Sequence, residues 1–161
     1  MLNADALQAC AEWLMYDEGF EQFPYDDETG KRVSAPAGKL TIGIGFNLSD
    51  AGLSMVECMF ILKNRINMLD VTLSTNLHGY SELDEVRQSA LINMAYNLGI
   101  NGLLAFHDFI LFVTGNDYIH AANDLRATKV YQELTHRYER ISEAILTGKY
   151  PDALNINRSG S

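Results

Sequence analysis

From Asn3 onward, apolar residues recur at Leu7, Cys10, Ala11 and Leu14, the spacing of one face of an α-helix. Asn3 is a good cap, so the pattern predicts a helix over about 3–19, running out near Gly19 because Pro24 and the glycines beyond it resist helix. Residues 25–48 carry a different pattern. Gly30, Gly38, Gly43 and Gly45 punctuate it, with Pro36 inside Ala35-Pro36-Ala37-Gly38. Val33 stands on one side of that turn signal, and Leu40, Thr41, Ile42 and Ile44 on the other, which predicts a small β-hairpin in a segment of about 20–53. Ser54-Met55-Val56-Glu57 then has the form of a capping box, with Leu53 placed to staple against Cys58. The helix it opens is expected over about 54–72, through Ile61, Leu62, Ile66 and Leu69, long enough to bridge two lobes, with Arg65 on its wetter side.

After Gly79, Leu83-Asp84-Glu85-Val86 opens a run, Ala90 to Leu98, that is apolar nearly all round and belongs at the centre of a larger lobe. Asn93, Tyr96 and Asn97 are its polar exceptions and need an account. Shorter helices are predicted at about 106–114, 117–127 and 136–147, before Gly148 and Pro151. The last five residues, from Asn157, read as a frayed end. The fold class expected is α+β and mostly helical: a hairpin-bearing N-terminal lobe, a bridging helix and a helical C-terminal lobe over about 80–150.

Composition narrows the function. With 47% hydrophobic and 20% charged residues in 161, the chain has a packed core and is not disordered. Acidic residues outnumber basic ones 21 to 12, a net charge of −9 that repels phosphate backbones, so no nucleic-acid partner is expected. No apolar run approaches the ~20 residues of a membrane span, and Asp5, Glu12, Asp17 and Glu18 argue against a signal peptide or anchor at the N-terminus. Cys10 and Cys58 form no C-x-x-C pair and are expected as reduced thiols in apolar surroundings.

The candidate chemistry is acidic. Glu18 falls where the first helix ends, and Asp26 and Asp27 follow across a loop at the mouth of the hairpin, so carboxylates are able to face each other across a cleft. Glycoside hydrolysis needs such a pair, one group protonating the leaving oxygen and the other acting from the opposite face. Spacing alone is equally compatible with solvated surface acids. His78, His107, His120 and His136 lack metal-ligand spacing, and Asp26-Asp27-Glu28 lacks the pattern of a calcium loop, so no metal is expected.

The motifs add to this. Glu18-Gly19, Tyr25-x-Asp27-x-x-Gly30 and Thr41-Ile42-Gly43-Ile44-Gly45 together resemble the signature of phage-type lysozymes, the endolysins of glycoside hydrolase family 24 typified by the T-even phages. The likeness continues through Asp84-Glu85-Val86-Arg87, Ala90-Leu91-Ile92-Asn93-Met94, Gly99 and Phe106, then Tyr131, Arg137–Arg140 and Thr147-Gly148, covering most of the chain in order. The resemblance implies a muramidase that cleaves the β-1,4 bond between N-acetylmuramic acid and N-acetylglucosamine, with Glu18 as general acid, Asp27 as the carboxylate that orients water and Thr41 as the hydroxyl that helps hold it. Arg137 matches an arginine that contacts the acid. Burial would raise the Glu18 pKa and such a cation would lower it, so the two effects are expected to compete. Phe46, Asn47 and Leu48, after the glycine turn, are expected to line the cleft floor, and Tyr96 and Asn97 to face the cleft from the central helix; Phe109 and Asp124 match positions used for sugar contacts, although packing is the better reading of Phe109. The resemblance further implies no cofactor, a monomer acting on cell-wall peptidoglycan, and release from the host cytoplasm through a holin-type membrane lesion.

The sequence departs from that pattern in three ways. Ten residues, 31–40, separate Gly30 from Thr41 and lengthen the hairpin; Phe46 stands where relatives often carry histidine; and the stretch from Asn47 to Ser54 is short. The acidic net charge also removes the electrostatic attraction to anionic walls that basic lysozymes enjoy. The rival readings are a peptidoglycan-binding or virion protein that lost turnover, and a lytic transglycosylase, which needs only one acid.

Overall fold

The computed structural model describes residues 1–34 and 38–154. It is mostly helical with one small antiparallel sheet, an α+β architecture. Helix α1 spans Ala4–Glu18. Asn3 caps it by accepting from the Ala6 N–H at 2.9 Å, and Gly19, with φ of 78°, ends it in a conformation that side-chain-bearing residues avoid. Its inner face buries Ala6, Ala9, Cys10, Trp13 and Leu14. Both described cysteines are free, and burial pushes the Cys10 thiol up to about 12, leaving it an inert core group.

The sheet forms, but about a different turn from the one expected. Strands β1 (Thr41–Ile42) and β2 (Phe46–Asn47) pair Thr41 with Asn47 and Ile42 with Phe46. The reversal between them is Gly43-Ile44-Gly45, whose glycines sit at φ of 59° and 77°. Two left-handed residues in so short a link favour a two-strand reversal there, and the Ile-Gly alternation hides it inside an apparent strand. Val33 is instead bonded back toward the first helix, its N–H donating to the Pro24 carbonyl at 2.8 Å beside an isolated bridge between Tyr25 and Arg32. Most of the expected turn, residues 35–37, lies outside the described residues, as does the tail from residue 155.

Helix α2, Met55–Asn76, opens with both halves of the capping box: Ser54 Oγ accepts from the Glu57 N–H and the Glu57 carboxylate accepts from the Ser54 N–H. It runs about a turn further than expected. Helix α3, Glu85–Leu104, is capped by Asp84 and bent at Gly99, where φ and ψ are 74° and 162°. Every residue from Arg87 to Ala95 is buried, which makes α3 the centre of the core, packed against α1, α2 and the last long helix. Helices α4 (His107–Thr114), α5 (Tyr118–Arg126), α6 (Lys129–Glu133) and α7 (Thr135–Thr147) complete the fold. The five-residue α6 was not expected. It buries no residue and so leaves no hydrophobic period to read. Among the described residues no single helix is long and apolar enough to cross a membrane.

Burial is unevenly spread. Among the described residues, none from Glu18 to Arg65 is fully buried. The segment after α1 is held instead by short-range polar closures. Arg32 reaches the Ser49 carbonyl and lies over the Phe23 ring, Lys39 pairs with Asp50, and Asn47 closes its own turn onto Ser49 and Asp50.

At the far end, Glu139 on α7 accepts two bonds from Arg126 on α5, at 2.8 and 3.0 Å, and one from the Tyr131 hydroxyl on α6 at 2.9 Å. The Arg126 hydrogen bonds hold the Glu139 carboxyl below its ordinary value of 4.5. A depressed folded-state pKa contributes stability that is complete above the ordinary value and is lost as pH falls through the folded one. Glu139→Gln is therefore expected to unfold more easily than the wild type at pH 7, with the gap closing in acid. Urea titrations at pH 7 and pH 3 test this, and an equal gap at both would refute it.

Candidate active site

Two acidic side chains at the C-terminus of α1 set the problem this site solves. A helix C-terminus repels negative charge, and α1 places Asp17 and Glu18 there with no basic residue in its last turn. The compensation comes from α7, where Arg137 and Arg140, three residues apart, share a face. Arg140 holds the Asp17 carboxylate through Nε, at 3.0 Å, and through Nη2. Arg137 Nη1 donates to Glu18 Oε1 at 2.8 Å.

Asn93, from the middle of α3, ties the two pairs together. Its Nδ2 donates to Asp17 Oδ2 at 2.9 Å, and its Oδ1 accepts from Arg137 Nε at 2.9 Å. A carboxylate only accepts and a guanidinium only donates, so the bridging group must do both, which an amide does. This accounts for a fully buried asparagine in an apolar helix. The Asp17 side chain has no exposure and that of Arg137 only 9%, whereas Glu18 keeps 41%. The network is thus rooted in the core and ends on one carboxylate that faces solvent.

Glu18 opens onto a cleft of about 260 Å³ between the end of α1, the following loop and α2. Tyr25, Arg65 and Tyr96 also line it, over an apolar floor that includes Leu14, Met59 and Leu62. Burial raises the Tyr96 pKa, and the Glu18 charge adds to the rise, while Arg65 and Arg137 work against it. Tyr96 is therefore within electrostatic reach of all three.

The other sequence-derived residues are placed as follows. Asp27 is exposed at the start of the turn that closes when the Gly30 N–H donates to the Asp26 carbonyl at 2.7 Å. It lies two residues beyond the cleft-lining Tyr25, a span of at most about 7 Å of chain. Asp26 is committed to the turn, accepting from the Thr29 N–H and hydroxyl at 2.8 and 2.7 Å, bonds that hold its carboxyl below the usual range. Thr41 is exposed on β1, Phe46 is half-exposed on β2, and Asn47 spends its side chain on its own turn. All of these stand outside the lining of the 260 Å³ cleft, so the structure joins Glu18 with Tyr96 and Arg137 there and leaves Asp27 and Thr41 on the neighbouring segment. Leu48 is partly buried against that segment.

In the C-terminal half, Asn97 accepts from the Tyr138 hydroxyl at 3.0 Å. Phe109 is fully buried in the core, so packing is its role in this structure, not exposure to a ligand. Asp124 is half-buried on α5, with its carbonyl accepting from the Ala127 N–H at 3.1 Å. Among the described residues no three His, Cys, Asp or Glu side chains gather as a metal site requires.

No family model matches the chain. A 69-residue stretch is 30% identical to a protein of Dictyostelium discoideum named "Probable T4-type lysozyme 1". The likeness is partial. It spans 43% of this chain and 41% of that protein.

Sequence reasoning missed Asp17 and Arg140 as members of the site, and it left Arg65 as a solvated charge. The signal for the first pair was present: two adjacent acids at a helix end demand cations, and Arg137 and Arg140 have the spacing of one helix face.

Proposed function

We propose that this chain is a lysozyme-like peptidoglycan hydrolase, and more narrowly a muramidase that cuts the β-1,4 bond between N-acetylmuramic acid and N-acetylglucosamine. The observation that carries the reading is Glu18: a solvent-facing carboxyl, fixed over a cleft through a buried Arg137–Asn93–Asp17 network. The 69-residue likeness to a protein named as a lysozyme supports the same class.

In this reading Glu18, in its acid form, gives its proton to the leaving glycosidic oxygen. Asp27 orients a water on the opposite face of the sugar, Thr41 helps to hold that water, and the product inverts. Tyr96 presents a ring and a hydroxyl to the glycan, as a sugar-stacking residue does. Phe46, Asn47 and Asp124 are proposed as further sugar contacts. The proposed setting is a phage endolysin: a monomer without cofactor, made in the host cytoplasm and reaching the wall after a holin-type lesion.

The deciding experiment is product analysis of purified peptidoglycan digested with the wild type. Reducing muramic ends are expected. Anhydromuramic ends would replace hydrolysis with transglycosylation, in which Glu18 alone suffices. Binding without any new ends would leave a wall-binding protein.

A further inference from the structure

We propose that Arg65 is the anion-binding residue of the cleft, receiving a carboxylate of the peptide attached to a muramyl residue; this rests on the peptidoglycan reading above. The first ground is what the other arginines do. Arg87 pairs with Asp84, Arg126 with Glu139, Arg137 with Glu18 and Arg140 with Asp17, while Arg32 holds a carbonyl and a ring. Arg65 alone among the described arginines has no carboxylate, carbonyl or ring, in a protein where acids outnumber bases 21 to 12. Leaving a guanidinium unpaired in such a field keeps its five donors free for an incoming anion.

The second ground is position. Arg65 and Tyr96 line the Glu18 cleft and also a second hollow of about 440 Å³, walled by Met68, Leu69, Thr72 and Ala95. The two hollows therefore meet at these side chains, and the second has the size of a small-ligand site. A glycan strand is neutral along its sugars and carries its carboxylates on the peptide branching from the muramyl lactyl group. A strand lying in the first hollow would send that branch past Tyr96 into the second, where Met68, Leu69 and Ala95 offer apolar contact to a short alkyl-rich peptide. Arg65 stands at the fork.

The test uses soluble N-acetylglucosaminyl-N-acetylmuramyl peptide, which contains no bond of the type the enzyme would cut, so binding is read apart from turnover. Titration calorimetry compares it with the same compound amidated at its peptide carboxylates and with the peptide-free disaccharide. The wild type is expected to prefer the acidic form by about tenfold, the scale of one charge-assisted contact. Arg65→Ala should bind all three alike, and Arg65→Lys should keep part of the preference. Position 65 is an exposed helix site, so circular dichroism should show these variants folded. A wild type that does not distinguish the three ligands, or an Arg65→Ala that retains the preference, overturns the proposal. A wild type that shows the preference yet produces no new chain ends would sink the hydrolase reading and leave the Arg65 assignment standing.

Discussion

Glu18→Gln is expected to lower peptidoglycan turnover by about 10²–10⁴-fold, the range a positioned general acid contributes, while the fold is unchanged. The expectation is sharp because the substitution is nearly silent structurally. Glutamine keeps an oxygen at the place where Arg137 Nη1 donates to Glu18 Oε1, and the side chain is 41% exposed, so no buried charge is orphaned. What is lost is the transferable proton. Asp27→Asn, at an exposed turn position, should fold equally well and lose activity through a different step, the orientation of water. Turbidity loss of purified walls, with circular dichroism as the folding control, reads both. Full activity in Glu18→Gln would remove the acid from the mechanism altogether. Full activity in Asp27→Asn with Glu18→Gln dead would point to the single-acid transglycosylase.

The largest effect on stability is expected one residue earlier. Asp17→Ala removes a fully buried carboxylate from Arg140 and Asn93 and leaves both donors without their acceptor. Breaking a buried ion pair from one side costs about 3–5 kcal/mol, a large share of the roughly 5–15 kcal/mol that holds a domain together. Asp17→Asn should cost less, since an amide oxygen still accepts from Arg140. Urea midpoints of the two variants against the wild type measure the difference. A loss under about 1 kcal/mol in Asp17→Ala, the size of an ordinary exposed pair, would show that the network does not act as a buried unit.

The contrast between these adjacent residues explains what the sequence could and could not reveal. Elements defined by local rules were legible. The Asn3 cap, the capping box at Ser54 and the apolar run of α3 each depend on residues within a few positions, and each is readable from the sequence alone. The sheet was half legible: Thr41 and Ile42 are strand residues, but their partner follows Gly43-Ile44-Gly45 and is not the Val33 segment, because two left-handed glycines outweigh a proline turn signal. Helix α6 left no trace, being five residues long with none fully buried. The Asp17–Asn93–Arg140 network was illegible for another reason. Its members lie 76 and 123 residues apart in sequence, and only packing of α1, α3 and α7 brings them together. Arg65 shows the converse: a residue significant for having no partner, which is a property of the folded surroundings and not of the chain.

The stretch from Gly19 to Arg65, where no described residue is fully buried, has a consequence for how such a protein diversifies. A core position resists change because neighbours must repack around it, whereas a segment closed by turns and main-chain bonds has little to repack. Lengthening a loop there costs closure entropy that grows only with the logarithm of its length, so added residues between Gly30 and Thr41 would be thermodynamically inexpensive. Glu18, anchored to the helical core, is shielded from such changes, while Asp27 and Thr41 stand on either side of that loop. Loop length there can therefore change without reopening the question of whether the chain folds.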